Sequence, residues 1–110
     1  MLKRLLLVIM LQVAVLAQTG QPRSDRVVGY WVSSSGKEVT LAYSGQPETF
    51  LVQVYNQSGP PTEYTAHWTS DSEFYYDARD ERVLGLYRPD SDSVKIFNQK
   101  RSWSAVWKRR

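Results

Sequence analysis

Cysteine is absent from this 110-residue chain, and histidine occurs once, as His67. The first absence removes disulfides and thiolate metal sites, and the second removes any metal centre built on several histidines. No stretch beyond residue 17 carries an apolar stripe at helical spacing, so no helix longer than a turn is expected. A membrane-spanning run is missing as well. The longest apolar stretch, from Leu5 to Leu16 and broken by Gln12, is well short of the roughly 20 residues a spanning helix needs.

That apolar stretch follows Lys3 and Arg4 and closes on Val15 and Ala17, at the small-residue spacing of a secretory signal peptide. Residues 1–17 are therefore read as a signal segment, cleaved after Ala17, and the protein as exported to a periplasm or the extracellular space. Small exported domains of animals are usually stapled by disulfides. A chain without cysteine must fold on burial alone, which suits a bacterial source. In a bacterium Asn56-Gln57-Ser58 is a turn, whereas a eukaryote would read it as a glycosylation sequon.

No strong charge of one sign remains after cleavage. The whole chain carries 14 basic and 11 acidic residues, and loss of Lys3 and Arg4 leaves +1. The distribution is uneven. Residues 18–78 hold three basic and seven acidic side chains, and residues 79–110 hold nine and four. One basic sector on a nearly neutral protein is expected, rather than a strongly basic binder.

Catalytic constellations are also lacking. His67 shares its face with Thr65 and Thr69 and has no nucleophile beside it, so it is read as a solvated surface side chain. Ser35-Gly36-Lys37 lacks the upstream glycine and the Ser or Thr of a phosphate loop. Asp90 and Asp92 lack the glycine and closing glutamate of a calcium loop. Asp77, Asp80 and Glu81 alternate with Arg79 and Arg82, the pattern of a mixed-charge turn. No enzyme activity, cofactor or metal is expected.

What the chain does have is alternation. Residues 18–26 are polar and read as a flexible lead-in. From Val27 onward, period-two segments alternate with turn clusters: 27–33, 37–43, 49–55, 62–69, 73–77, 82–87, 93–98 and 102–108. The connections are rich in Gly, Pro, Asn, Asp and Ser. Parity puts Val39, Leu41 and Tyr43 on one face, as it does Phe50, Val52 and Val54, and Tyr64, Ala66 and Trp68. In the last segment Trp103, Ala105 and Trp107 share the core face, opposite Ser102, Ser104, Lys108 and Arg110. The sixth segment is ambiguous, because Leu84 and Leu86 oppose Val83 and Tyr87 around Gly85. That pattern fits burial on both faces or a bulge at Gly85. The expected domain, residues 27–110, is all-β: an eight-stranded antiparallel up-and-down meander closing into a small barrel, which leaves no free edge. A two-sheet sandwich is the alternative.

Gly29-Tyr30-Trp31 on the first strand, with Trp107-Lys108-Arg109 on the last, resembles the calycin group of lipocalins and avidin-like barrels. The resemblance implies that Trp31 closes one barrel end with Lys108 or Arg109 packed across it. No motif matches the biotin-site residues of avidins, so no biotin site is implied.

Fourteen aromatic residues, four Trp, seven Tyr and three Phe, are enough to fill a narrow barrel, so at most a small pocket is expected. Tyr75 opposes Phe74 and Tyr76 and is left outside. Near Arg79 and Arg82 it suits a sugar, peptide or protein surface. Lys95, Lys108 and Arg110 share the outward face of the basic half. The functional expectation is a non-enzymatic binding protein for a small ligand or protein partner, contacted through Tyr75, Arg79, Arg82, Lys95, Lys108 and Arg110. A binder of anionic envelope polysaccharide, lipid or nucleic acid, and a secreted hydrolase inhibitor, are the alternatives.

Overall fold

Each alternating segment of the sequence is a strand in the computed structural model, which describes residues 22–110. The signal segment 1–17 and residues 18–21 lie outside the described residues. The strands are β1 (Gly29–Ser33), β2 (Glu38–Tyr43), β3 (Thr49–Val54), β4 (Thr62–Trp68), β5 (Glu73–Ala78), β6 (Glu81–Arg88), β7 (Ser93–Asn98) and β8 (Ser104–Arg109). Consecutive strands pair antiparallel, and β8 returns to β1 through Trp31↔Arg109, Val32↔Lys108 and Ser33↔Trp107. The sheet is a closed barrel in sequential order, so the sandwich alternative falls.

Inward positions follow parity. Trp31, Val39, Leu41, Phe50, Val52, Ala66, Trp68, Phe74, Tyr76, Val83, Tyr87, Val94, Ile96 and Trp107 form one buried core. The ambiguity of the sixth segment resolves without a bulge, because the β6–β7 ladder runs unbroken through Leu84↔Phe97, Gly85↔Ile96 and Leu86↔Lys95. Gly85 faces inward because the Phe74 ring occupies the space beside it. A Cβ there would lie 2.1 Å from the Phe74 ring, closer than any packing tolerates. Leu84 and Leu86 stay half-buried on the outer wall.

The polar stretch expected to be a flexible lead-in is, over its described part, a structural plug. Pro22–Asp25 forms a single helical turn, α1, with Ser24 fully buried. The Trp68 indole N–H donates to Ser24 Oγ at 3.1 Å. Val27 is buried, and its carbonyl accepts from Trp31 Nε1 at 2.8 Å. A serine suits this position because its small hydroxyl can enter an apolar interior and still find a partner there. The plug caps one barrel end, where Phe50, Trp68 and Phe74 form a ring cluster with centroids 4.9–5.4 Å apart.

Arg109 completes that closure. Its guanidinium lies 4.2 Å from the Trp31 ring centroid. It donates to both Asp92 carboxylate oxygens, at 2.8 and 3.0 Å, and to the carbonyls of Val28 and Arg26. Of the two basic residues that the sequence left open for this place, Arg109 takes it, and Lys108 points to solvent one position earlier. Gly29 is required at this point. It holds φ +142°, and a Cβ would meet Arg109 Nη1 at 2.9 Å, so the Gly-x-Trp spacing clears a path for the guanidinium.

The hydrogen bonds from Arg109 hold the Asp92 carboxyl below its ordinary range, and the Tyr87 hydroxyl adds to the effect. A carboxylate depressed in the folded state stabilises it above the unfolded value of about 4, and that stabilisation is lost as pH falls through the lower folded value. Denaturant titrations between pH 7 and pH 2 should therefore show Asp92→Asn less stable than the parent at pH 7. The gap should close toward the acid limit. A gap independent of pH would mean that the carboxylate charge has no part in the closure.

Candidate functional site

The two barrel ends differ because the inward residues differ in size. Toward α1 the inward positions are Trp31, Phe50, Trp68, Phe74 and Tyr87, and the Phe50, Trp68 and Phe74 rings pack on one another. Toward the other end they include Ser33, Val54, Ala78 and Ala105, which stop short of one another. The result is a cavity of about 920 Å³ opening between the turns at that end, with Tyr64, Tyr76, Val83, Ile96 and Trp107 in its walls. This corrects the expectation of at most a small pocket. The aromatic count is high enough to fill a barrel, but Trp31, Phe50, Trp68, Phe74 and Tyr87 lie toward the sealed end, and Tyr64, Tyr76 and Trp107 form the cavity wall without filling it.

Trp103 is a second correction. Its parity put it in the core beside Trp107. In fact β8 begins at Ser104, and Trp103 belongs to the preceding turn with 38% of its surface exposed. The cause is Asn98, itself buried. Its Oδ1 accepts from the backbone N–H groups of Ser102 and Trp103 at 2.8 and 3.1 Å, and that turn breaks the alternation. The Trp103 indole N–H then donates to Glu81 Oε2 at 3.0 Å, which fixes the ring as part of the cavity rim. Trp107, 1% exposed, remains core.

Inside the cavity the Tyr64 and Tyr76 rings stack with centroids 5.1 Å apart. Burial pushes the Tyr76 phenol well above its ordinary value, and the nearby Tyr64 adds to the shift. Tyr76 is 4% exposed, yet among the described residues its hydroxyl has no hydrogen-bond partner. The Trp107 indole N–H has none either, whereas the other three indoles each have one. An unmatched buried donor costs roughly 1–3 kcal/mol, so two residues with such groups in the lining of one cavity are a feature that parity cannot reveal.

The rim carries the charge. Lys37, Arg79, Asp80, Glu81, Arg82 and Lys100 all line the mouth. Glu81 is engaged by Asn98 Nδ2 and Trp103 Nε1, and Arg82 by Asp77 at 2.8 Å. The Arg82 guanidinium holds the Asp77 carboxyl below its usual range. Arg79 sits in the two-residue β5–β6 turn at φ 53°, a conformation that favours glycine.

Of the residues expected to contact a partner, Arg79 and Arg82 both border the mouth, but the Arg82 guanidinium turns to Tyr75 and Asp77 on the outer wall. Tyr75 does not offer a free ring. On the outer wall it is flanked by His67, stacked at 5.0 Å, and by the Arg82 guanidinium at 4.0 Å. Lys95 and Lys108 stand exposed on the outer wall of β7 and β8. Arg110 is paired with Glu38 and its backbone N–H bonds to Tyr30. The expected basic sector is thus divided between the mouth and the outer wall. Among the described residues no three His, Asp or Glu side chains could hold a metal ion, and no helix is long and apolar enough to cross a membrane.

No family model, curated protein or solved structure matches the chain.

Trp107→Ala should cost about 3–5 kcal/mol in urea unfolding, the range for deleting a fully buried large aromatic. Trp103→Ala should cost less than about 1 kcal/mol, because only an exposed hydrogen bond and partial burial are lost. Equal losses would return Trp103 to the core.

Proposed function

We propose that this chain is an exported, non-enzymatic binding protein of calycin-like architecture that takes a small ligand through the open end of its barrel. One observation carries the reading: a single-domain barrel sealed at one end by α1, Trp31 and Arg109 holds a cavity of about 920 Å³ at the other. That volume is in the range of small-molecule sites, which are concave, mostly apolar and furnished with a few polar groups. The calycin-like assignment draws support from Gly29-Tyr30-Trp31 on β1 and from the last-strand guanidinium across Trp31. Export rests on the basic start, apolar run and small-residue closure of residues 1–17.

Binding draws support from two nearby carboxylates that are held by the fold, while Asp80 at the mouth is unpaired among the described residues. Glu81 spends both oxygens on Asn98 and Trp103, and Asp77 outside the mouth is held by Arg82. An anionic surface docking on the outer wall has less support, since Arg110 is neutralised by Glu38 and the Arg101 guanidinium lies over the Phe97 ring, although Lys95 and Lys108 remain exposed there.

The uncharged probe phenylnaphthylamine should brighten on adding the protein and should bind the parent reversibly. Ala105→Trp, which fills the cavity from β8, should weaken this binding by at least about tenfold, the effect of losing a well-formed apolar contact, with the far-ultraviolet spectrum unchanged. Undiminished binding to the filled variant would remove the cavity from the account. Exported material should begin near Gln18 on N-terminal sequencing, and an intact Met1 in the secreted protein would contradict export.

A further inference from the structure

The cavity has a chemical polarity from floor to mouth, and that polarity narrows its ligand. Resting on the reading that this cavity is a ligand site, we propose that it binds a small aromatic anion carrying a hydrogen-bond acceptor on its ring. The ring lies against the stacked Tyr64 and Tyr76 and the Trp107 indole, the ring acceptor meets Tyr76 Oη and Trp107 Nε1, and the anionic group meets Arg79 and Lys100 at the mouth.

Three features point the same way. The first is the pair of unmatched donors. Tyr76 and Trp107 are 96% and 99% buried, both line the cavity, and among the described residues neither polar atom is partnered. Saturated chains offer them nothing. An acceptor on the ligand satisfies them, and a site built on buried polar groups rejects analogues that leave those groups unpaired. The second is wall shape. Tyr64 and Tyr76 are nearly parallel, at 28°, and aromatic walls of this kind take a flat ring in an offset stack.

The third is charge at the mouth. With Glu81 and Arg82 already engaged, Lys37, Arg79 and Lys100 face a single remaining carboxylate, Asp80. Among the described residues none of these four makes an ion pair. Arg79 is the most telling. The β5–β6 turn places it at φ 53°, where glycine is favoured and a long cationic side chain gains nothing locally. Backbone strain of this kind gathers at functional sites. Arg79 also sits in a two-residue hairpin turn that borders the cavity.

The test uses three probes on the purified protein at low ionic strength: a methoxycoumarin acetate, the matching uncharged methoxy-methylcoumarin, and naphthylacetate, an aromatic anion without a ring acceptor. The parent should bind the coumarin acetate at least about tenfold more tightly than the uncharged coumarin, the scale of a rim ion contact that added salt weakens. Arg79→Gly with Lys100→Gln should abolish that preference, and Arg79→Gly alone should raise Tm, which guards against an unfolded variant. Tyr76→Phe should weaken both coumarins about fivefold, the scale of one neutral hydrogen bond, and leave naphthylacetate unchanged. Equal binding of charged and uncharged coumarin by the parent would overturn the proposal. So would a preference that survives the double substitution, or Tyr76→Phe weakening all three probes alike. If phenylnaphthylamine binds and no coumarin does, the proposal fails while the cavity stands. If no probe binds at all, both fail.

Discussion

The contact between the Arg109 guanidinium and the Trp31 indole is the point on which the rest of the barrel depends. It joins the last strand to the first. Through Asp92 it also holds the turn before β7, and through the carbonyls of Arg26 and Val28 it holds the segment entering β1. A cation over a tryptophan face contributes on the order of 0.5–2 kcal/mol, and each bond to a charged donor adds a comparable amount. In a chain without cysteine, that cluster takes the place a disulfide would hold in joining remote segments. Gly29 holds φ +142°, which other residues rarely adopt, and the guanidinium packs close beside it.

Sealing one end has consequences for the other. Burial in this barrel is concentrated around Phe50, Trp68 and Phe74, and Trp107 stacks beneath them 6.4 Å from Phe74. Stability drawn from that end leaves the opposite end free of packing duty. Apart from Tyr64 and Tyr76, its innermost residues are small or polar, and its turns hold Arg79 at φ 53° and Arg101 at φ 58°, as the turn at the sealed end holds Asp92 at φ 45°. A hollow with unmatched donors is tolerable there because the aromatic end supplies the apolar burial the fold needs. The division also separates the two uses of tryptophan. Trp31 and Trp68 are structural, with their indole N–H groups satisfied internally, while Trp103 and Trp107 border the cavity.

The strands, their order and their closure were legible because period-two alternation is a direct image of a half-buried sheet. Parity failed wherever a local hydrogen bond overrode it. Asn98 holds the turn around Ser102 and Trp103, so the alternation that seemed to begin before Ser104 is not a strand there. Parity also separates inside from outside without telling whether facing side chains meet, and this is why the hollow was missed. The signal was nonetheless present. Reading the meander as alternately up and down puts Val54, Ala78 and Ala105 at one end and Phe50, Phe74 and Trp107 toward the other, a taper that pooling all fourteen aromatics conceals. Tyr75 was correctly placed outside, but the His67 and Arg82 rings and planes that flank it come from neighbouring strands and could be found only once β4, β5 and β6 were paired. Ser24 was unreadable for a related reason: a polar residue becomes core only when a buried indole needs an acceptor.

The central claim, one end sealed and the other open to ligand, is tested most directly by the four tryptophan indole N–H signals in a nitrogen-15 correlation spectrum. The account predicts that Trp31 and Trp68 resist exchange with deuterated solvent, since their donors are buried and bonded to Val27 and Ser24. Trp103 should exchange quickly, and adding an aromatic probe should shift only Trp103 and Trp107. Shifts at Trp31 or Trp68 with Trp103 and Trp107 unmoved would place the ligand at the end described here as closed, and would contradict the account.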